Sequence, residues 1–406
     1  MKAAVTVTGM GLVSPLGGLD LTAATSSLAA GRVCRQTTDS YLPGQRVAAA
    51  TVLETDFTGL LGGRGLKYHG RGSLMLAHAG LQALHAAGLD PETGDTPISL
   101  LVGSAFGNLS QGMHYVRRLA CDGPDSVQPM DGVDTITNSA VDFCAIRCRT
   151  RGMVKMITAG ACSSLDTILE GARLIAEGSA QQVLVAGFEM LCPELLAILE
   201  TRGWLGSATC PDNMQGRPYC QTSRGMIPGE GAAALLLENE QSARGRGGRI
   251  LARVLGGDVA FSPNDQRADL ARSLARSGRR ALESAGGPPS SIDWVCGIAN
   301  GVPAYDRLEL LALQHLFGDQ LHGPAISSLK GFWGDALGAG GAMAAVAAVG
   351  CLGAGFIPST PGLETPWPEA RGLDLVTGAV RAGALSRILI MGADPDGFCA
   401  ALVLGK

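Results

Sequence analysis

Residues 156–166 combine a potential nucleophile with a backbone pattern that favours acyl chemistry. They read Met-Ile-Thr-Ala-Gly-Ala-Cys-Ser-Ser-Leu-Asp, so an apolar strand pattern passes through small residues into Ser and Asp, which favour the first turn of a helix. A helix start offers free N–H groups and a positive dipole end, and both lower the pKa of a thiol and stabilise an oxyanion. A nucleophilic cysteine fits such a turn, and Cys162 is the thiol that it contains.

Short apolar or β-branched runs on either side of this turn predict buried strands. They lie at Ala4–Thr8, Leu100–Gly103, Val154–Thr158, Gln182–Ala186, Ala232–Leu237, Ile250–Leu255, Asp293–Ile298, Leu373–Val376 and Ile388–Met391. Helical patterns lie between many of them, at Ser73–Ala87, Cys162–Glu177, Asp265–Ala285, Tyr305–Leu316 and Leu337–Leu352. This alternation predicts an α/β fold with mixed sheets and with helices on both faces.

Charge and composition exclude several classes of protein. Among 406 residues, 32 Lys and Arg oppose 36 Asp and Glu, so the chain lacks the excess of positive charge that attracts nucleic acid or an anionic membrane. Hydrophobic residues make up 46% and charged residues 17%, which excludes disorder and predicts that another subunit covers part of the surface. The eleven Cys form no CxxC pair and no two His lie three to five residues apart, so we expect no metal site and no cofactor.

Two segments bear on localisation. Thr, Gly, Ser and Pro stand near the amino terminus where a secretion signal has its apolar core, so we expect a cytoplasmic protein with reduced thiols. The uncharged residues 336–357 are long enough to span a bilayer, but they include six Gly and eight Ala. Small residues on every face favour a helix packed inside the protein over a membrane span.

A repeated pattern indicates two halves. Residues 182–189 and 387–394 both run from a polar residue through a strand pattern to Gly-x-acid. Their separation far exceeds the periods of roughly 20 to 50 residues found in repeat proteins, so the pattern predicts a duplicated half-unit. The charged, Gly-rich residues 240–249 are the best boundary, which gives an amino-terminal half, 1–249, and a carboxy-terminal half, 250–406.

Four segments resemble the β-ketoacyl-acyl-carrier-protein synthases and occur in that family's order. They are residues 5–17, 156–166, 229–238 and 327–341, and the resemblance covers essentially the whole chain. It implies a thiolase-like, five-layered αβαβα fold made of two duplicated halves that works as a dimer. It also implies carbon–carbon bond formation on acyl chains bound to a carrier protein.

The resemblance assigns positions to that family's catalytic residues, a nucleophilic Cys and two His. Ile298 stands where the motif His-Gly-Thr-Gly-Thr begins, although Asp306 and Glu309 keep the family pattern. Asp335 stands where the motif Lys-Ser-x-x-Gly-His ends, and Lys330 keeps its Lys. None of the six His falls in either motif, so both catalytic imidazoles are missing.

The position of the nucleophile depends on how one helix is aligned. Glu170 and Gly178 fit the family's Glu and Gly without a gap, and counting back from them puts Ala161 at the nucleophile position. Cys162 takes that position only if one residue is deleted in the helix, which rotates its inward face by about 100°. We therefore expect Ala161 at the turn, with Cys162 as the alternative nucleophile.

The loop near the carboxyl terminus departs from the family as well. Asp394-Pro-Asp-Gly397 replaces the Gly-Phe-Gly-Gly loop that lines the oxyanion site in that family. Two carboxylates there would repel a developing oxyanion. Because Pro395 and Gly397 favour a turn, we expect a solvated or helix-capping turn.

A synthase-like chain that lacks the Cys and both His resembles the chain-length factor, the ketosynthase β-subunit of type II polyketide synthases. That resemblance implies a non-catalytic subunit that forms a heterodimer with an active ketosynthase and shapes the acyl tunnel. The growing chain, polyketide or fatty-acid-like, is carried by phosphopantetheine on an acyl carrier protein. The alternative is a competent β-ketoacyl synthase or a malonyl-carrier decarboxylase that uses Cys162, with Lys330 and Asp335 in place of the imidazoles.

The same resemblance implies that residues 106–118 and 138–148 face the dimer interface and the tunnel. The candidate wall positions are Phe106, Leu109, Met113, His114 and Phe143. The alternative for each is ordinary interface packing without an effect on product length.

Overall fold

Strands and helices alternate in the computed structural model, which describes residues 3–42, 45–53, 55–91, 97–206, 214–263, 267–318 and 323–406. The strands are β1 (Val5–Val13), β2 (Gln36–Leu42), β3 (Gln45–Ala49), β4 (Ile98–Gly103), β5 (Val154–Ile157), β6 (Gln182–Glu189), β7 (Gly231–Asn239), β8 (Ala252–Phe261), β9 (Trp294–Cys296), β10 (Ala325–Ser327), β11 (Phe356–Ile357), β12 (Asp374–Leu375), β13 (Arg381–Ala382), β14 (Arg387–Ala393) and β15 (Phe398–Gly405). The helices are α1 (Leu21–Ala29), α2 (Thr58–Leu61), α3 (Arg71–Ala86), α4 (Leu109–Asp122), α5 (Pro129–Val133), α6 (Ser139–Arg147), α7 (Ser163–Ala176), α8 (Pro193–Thr201), α9 (Glu240–Gly245), α10 (Arg267–Ser284), α11 (Pro303–Phe317), α12 (Lys330–Trp333) and α13 (Gly340–Ala354). Short 3₁₀ turns span Leu66–Tyr68, Pro124–Ser126, Pro289–Ser291, Leu337–Ala339 and Pro368–Ala370.

Two half-units with the same strand order meet in one mixed sheet. From the centre outward, the first half runs β1-β7-β6-β4-β5 and the second runs β8-β15-β14-β9-β10, with β12 at the far edge. The central strands pair antiparallel, with Val5 opposite Val254. In both halves the outer pairs are parallel and the inner pairs antiparallel. The repeated sequence segments lie on β6 and β14, which hold equivalent places, so the predicted duplication is confirmed. We propose that the halves divide at residue 249/250, between α9 and β8.

The helices and the two sheet halves stack in five layers. Helix α3 packs on β1, β6 and β7 of the first half, and α10 packs on β8, β14 and β15 of the second. Helices α7 and α13 contact each other and also contact strands of both halves, so they form the middle layer. The order α, β, α, β, α is the arrangement that the family resemblance led us to expect.

Small residues allow the two middle helices to approach each other closely. A Cβ atom on Gly341 of α13 would lie 2.5 Å from Leu165 Cγ on α7, so only Gly fits there. The stretch Leu337–Ala354 is long and apolar enough to cross a membrane, yet 72% of it is buried inside the protein. It is a core helix, as its Gly and Ala content predicts.

All nine predicted strands and all five predicted helices are present with shifted ends, although residues 265 and 266 lie outside the described residues. The predicted strand Asp293–Ile298 is wrong at its end, because Glu309 accepts the N–H groups of residues 298 and 299 and the chain leaves the sheet there. The expected turn at residues 240–249 begins instead as helix α9. Sequence reasoning missed β15, which is buried almost throughout and so lacks the alternation of a half-exposed strand.

Candidate functional site

The turn before α7 directs two adjacent residues to different environments. Gly160 has a φ of +54°, and the N–H of Cys162 donates to the Ala159 carbonyl at 3.0 Å, which closes the turn. Ala161 is partly exposed and lines a cavity, whereas Cys162 is fully buried in the core. The helix start therefore presents position 161 to the cavity and position 162 to the protein interior.

The surroundings of Cys162 keep its thiol protonated. Its Sγ donates to the carbonyl oxygen of Phe398 at 3.5 Å. Burial raises the pKa of Cys162 well above its ordinary value, and the neighbouring Cys399 and Asp394 raise it further. Because the thiolate is the reactive form, a buried thiol with a raised pKa is a poor nucleophile.

A cavity of about 220 Å³ opens in front of Ala161. Residues of both halves line it, namely Ala161, Trp204, Leu270, Asn300, Val302, Ala304, Tyr305, Leu308, Asp335, Leu337, Asp394 and Pro395. Within the described parts of the chain, no histidine belongs to this lining. Ile298 and Lys330 line a smaller cavity that also touches Ala161. The residues aligned with the three catalytic positions therefore lie around one site.

Asp335 lines the larger cavity, of about 220 Å³, and forms an ion pair there. Its Oδ2 accepts from Lys330 Nζ at 2.9 Å and from Asn300 Nδ2 at 2.8 Å, and its Oδ1 accepts the N–H of Leu337 at 3.0 Å. The carboxylate is 3% exposed, and the Lys330 ammonium lies 5.8 Å from the centre of the Tyr305 ring. Both oxygens of Asp335 are thus engaged by donors from this chain.

The two acids retained from the family pattern hold the backbone of residues 298–301. Glu309 accepts the N–H of Ile298 at 2.7 Å and the Tyr219 hydroxyl at 2.8 Å. Asp306 accepts three backbone N–H groups, from residues 219, 300 and 301. Burial raises the pKa of Asp306 to about 7 and also raises that of Glu309. These acids shape the loop, and Ile298 itself is buried at 2% exposure.

Asp394 occupies the N–H group at the start of α7. Its Oδ2 accepts from the N–H of Ala161 at 2.8 Å, and its Oδ1 accepts from the N–H of Asp396 at 2.8 Å. A Cβ on Gly160 would lie 2.0 Å from Oδ2, so only Gly allows the carboxylate this close. Burial raises the pKa of Asp394. The loop thus forms a turn whose carboxylate holds the N–H of Ala161, two residues before α7 begins.

Comparison with known proteins assigns the chain to a family. Residues 2–243 match the family model described as "Beta-ketoacyl synthase, N-terminal domain", and residues 252–364 match "Beta-ketoacyl synthase, C-terminal domain". The chain belongs to the β-ketoacyl synthase family. It is 31% identical, over all of its length and 98% of the relative, to the tetracenomycin polyketide synthase ketoacyl synthase beta subunit of Streptomyces glaucescens.

Solved structures share the thiolase-like β-ketoacyl synthase fold. The ishigamide ketosynthase/chain length factor superposes with a TM-score of 0.89 at 25% identity, and each chain is covered completely. A structure entitled "AntDE:AntF (apo): type II PKS acyl-carrier protein in complex with its ketosynthase bound to the hexaketide" gives 0.88 at 22% identity, again over both whole chains. The expected fold class is confirmed.

The five candidate wall positions of this chain fall into three environments. Phe106 and Leu109 are partly buried against a cluster that includes Leu337 of the cavity lining. Met113 and His114 are exposed on α4. Phe143 is 5% exposed in a different cluster, where its ring lies 4.0 Å from that of His69. Phe143 thus lies in a different cluster from Phe106 and Leu109.

Sequence reasoning missed several groups that shape this synthase-like site. Asn300 lies two residues after Ile298 in the aligned motif, and its polar amide there could have marked it as a site residue. Trp204 and Tyr305 line the cavity, but no spacing rule connects them with Ala161. Glu189 ends one of the two repeated segments, and its place beside the site becomes visible only when the helices are packed.

Proposed function

We propose that this chain is a non-catalytic chain-length-factor subunit of a type II polyketide synthase, which pairs with an active ketosynthase and shapes the tunnel for its acyl chain. One observation carries the proposal. The residue that the helix start presents to the cavity is Ala161, at the position where the family has its nucleophilic Cys. A methyl group cannot take an acyl chain.

The two positions aligned with the catalytic His support the same conclusion. Ile298 supplies no proton donor, and its backbone is held by Glu309. Asp335 cannot replace an imidazole, because Lys330 and Asn300 hold one of its oxygens and the N–H of Leu337 holds the other. We propose that Asp306, Glu309 and Lys330 are retained because they build the loops of the fold.

An apolar face around β5 supports pairing with a second subunit. Strand β5 ends the sheet, so one of its edges has no neighbour among the described residues. Large apolar side chains are exposed on β5 and just before it, at Met153 and Val154, and on α6, which contacts β5, at Ile146. Others are exposed in residues 109–136, at Met113, Val116, Leu119, Val133 and Ile136. Open strand edges and large apolar patches mark interaction sites. The occupant we propose is the catalytic ketosynthase, in line with the ishigamide ketosynthase/chain length factor.

The acyl chain would reach this heterodimer on phosphopantetheine of an acyl carrier protein. The AntDE:AntF structure, in which a type II polyketide synthase acyl-carrier protein is in complex with its ketosynthase, supports this partner. Because such carriers and synthases meet in the cell interior, we propose a cytoplasmic location. The proposal includes neither nucleic acid nor membrane as a partner.

The alternative function, a synthase or decarboxylase that uses Cys162, has less support. It requires the buried, protonated thiol to reach a substrate, although Ala161 lines the cavity and Cys162 does not. A Cys162→Ala variant tests it directly. We expect the complex to keep its condensing activity within about twofold, because the change removes one buried sulfur and touches no reacting atom. An acyl adduct on Cys162 in intact-mass spectra would contradict this expectation.

The experiment for the proposed function separates the two subunits chemically. The chain is purified with a partner ketosynthase, once with the intact partner and once with the partner's nucleophilic Cys replaced by Ala. We expect condensation of acyl and malonyl units only with the intact partner. Condensation or malonyl decarboxylation above background in the second complex, or in the isolated chain, would overturn the proposal.

A further inference from the structure

The two halves of the chain place a carboxylate at equivalent points. Glu189 ends the repeated segment on β6 of the first half, and Asp394 ends its counterpart on β14 of the second. Each carboxylate reaches the start of the middle helix of the other half. Glu189 accepts the N–H of Gly338 before α13 at 3.2 Å, and Asp394 accepts the N–H of Ala161 before α7 at 2.8 Å.

The Glu189 side of this pair is a purely structural connection. The carboxylate is 1% exposed and accepts the N–H of Ala105 at 2.9 Å and that of Phe106 at 3.2 Å, in addition to that of Gly338. It also accepts the Ser104 hydroxyl at 3.2 Å. Its role is to fix one loop of the first half against the start of α13.

We infer that Asp394 is an internal occupant of the oxyanion position, so that the second half repeats at α7 the structural connection that Glu189 makes at α13. The inference rests on the proposed function in one respect, the assignment of Ala161 to the nucleophile position. It adds that this chain is blocked twice: it lacks the nucleophile, and its own carboxylate fills the place of the transition-state oxygen.

The geometry of Asp394 meets the requirement for such an occupant. A donor that stabilises an oxyanion lies about 2.7 to 3.1 Å from the oxygen, and the N–H of Ala161 lies 2.8 Å from Asp394 Oδ2. The carboxylate leaves no room for a second oxygen at that N–H. When ionised, it also repels the negative charge that develops on a thioester carbonyl.

Several contacts hold the Asp394 loop in this position. Asp394 Oδ1 accepts the N–H of Asp396, and the Asp396 carboxylate forms an ion pair with Arg202 at 3.0 Å. The Tyr305 hydroxyl donates to the carbonyl of Ala393, one residue earlier. Since Gly160 leaves open the space that a Cβ would fill, the carboxylate needs no movement of the helix to reach the N–H.

This arrangement predicts that a thiol at position 161 is not enough to restore acyl transfer. The step to be restored is attack of the new thiol on an acyl thioester. A bond forms between the thiol sulfur and the acyl carbon, the original carbon–sulfur bond breaks, and the departing thiolate takes up a proton. The tetrahedral intermediate needs the N–H of residue 161, which Asp394 holds.

The test uses the full chain in complex with a partner ketosynthase whose own nucleophilic Cys is replaced by Ala. Four versions of the chain are compared: Ala161→Cys alone, and the same change combined with Asp394→Ala, with Asp394→Asn or with Asp396→Ala. Asp394→Asn keeps an acceptor oxygen at the N–H without the charge. Asp396→Ala is the matched control, because it removes a carboxylate of the same loop that does not touch Ala161 and keeps the backbone N–H that Asp394 Oδ1 accepts. The ion pair with Arg202 that it also removes is exposed, and exposed pairs contribute little to holding a loop.

Each complex is treated separately with iodoacetamide and with a short acyl thioester of N-acetylcysteamine, and adducts are located by intact-mass and peptide mass spectrometry. Alkylation needs an accessible thiolate but no oxyanion site, so the iodoacetamide rate at position 161 corrects the thioester rate for access and for the thiolate fraction, which loss of the neighbouring carboxylate raises. Divided by the alkylation rate, acylation by the thioester should be at least tenfold faster with Asp394→Ala than with Ala161→Cys alone, since one oxyanion donor contributes about 10²- to 10³-fold. The Asn and Asp396→Ala combinations should stay close to Ala161→Cys alone.

The two probes separate the possible failures. Equal thioester rates in all four complexes, with normal alkylation, would overturn the role of Asp394 and leave the proposed function intact. Absence of alkylation at position 161 in every complex would overturn the assignment of Ala161, and with it both proposals. If Asp394→Ala yields no soluble complex, Asp394→Gly replaces it and is judged by the same rates.

Discussion

At the scale of single residues, buried carboxylates organise the site where the β-ketoacyl synthase family has its catalytic groups. Glu189, Asp306 and Glu309 each accept several donors from nearby loops, and burial raises the pKa of all three. Asp394 and Asp335 are engaged in the same way around Ala161. These side chains fix backbone segments, and the N–H of Ala161 and both oxygens of Asp335 are already hydrogen-bonded within the chain.

Glu189 predicts a specific pH dependence of stability. Burial raises its pKa from 4.5 to about 7, so the folded state favours the protonated form. Ionisation therefore costs stability as the pH rises through this range, and the cost is complete above the folded-state pKa. We expect the thermal midpoint of the complex to fall from pH 5 to pH 7.5, and Glu189→Gln to make that fall smaller. Glu200→Gln, at an exposed position on α8, should leave the fall unchanged. An unaltered fall in the Glu189 variant would contradict the assignment.

At the scale of elements, the contact between α7 and α13 sets the geometry of the turn that carries Ala161. Both helices lie between the sheet halves, and Gly341 lets them approach until its Cα faces Leu165. Close packing of this kind has little tolerance for added volume, because neighbouring side chains must leave their preferred rotamers. The small residues of α13 thus serve the site as well as the core.

Two Gly→Ala changes in the same helix should act in opposite directions. Gly341→Ala places a methyl group 2.5 Å from Leu165 Cγ, and we expect a loss of about 1–3 kcal/mol in unfolding free energy. Gly353→Ala meets nothing within 4 Å and should stabilise by up to about 1 kcal/mol through helix propensity. Thermal unfolding of the two purified complexes measures both effects. A neutral or stabilising Gly341→Ala would show that the middle layer is less tightly packed than described.

At the scale of the whole molecule, the exposed apolar face beside β5 predicts dependence on a partner subunit. Val154 is 42% exposed on the edge strand, and Leu311 is a matched control at 40% exposure on α11. We expect Val154→Asp to abolish co-purification with the ketosynthase, because it buries a charge in an apolar interface, and Leu311→Asp to leave it intact. Size-exclusion chromatography with light scattering distinguishes the two. Equal loss or equal retention in both variants would place the interface elsewhere.

The sequence predicts the architecture from local patterns, and its resemblance to the β-ketoacyl synthases gives three site positions. Hydrophobic runs located the strands of both halves, and alignment of the motifs brought Ala161, Ile298 and Asp335 to one place. The contact of Asp394 with Ala161 joins residues 233 positions apart, so no local pattern contains it. The same holds for Glu189 and Gly338. The burial of Phe143 against His69 likewise depends on how α3 and α6 pack, which periodicity alone does not give.

The central claim, that this chain sets product length without taking part in the chemistry, is tested most directly by the acyl lengths its complex makes. Phe106, Leu109, Met113 and His114 are changed singly to Ala, with Asp122→Asn at the exposed end of α4 as the control, and each is combined with the wild-type ketosynthase. Phe143→Ala is added as a fifth variant, for which we expect mainly lost stability because the ring is buried.

The measurement is the distribution of acyl lengths by mass spectrometry. A two-carbon unit adds about 2.5 Å to an extended chain, comparable to the reach lost when Leu or Met is cut to Ala, so the residue that ends the tunnel should shift the product by about one unit. The shift should exceed any change in rate, since no reacting atom is touched. Unchanged length distributions in all five variants, with the complexes intact, would contradict the assignment of the tunnel wall to these residues.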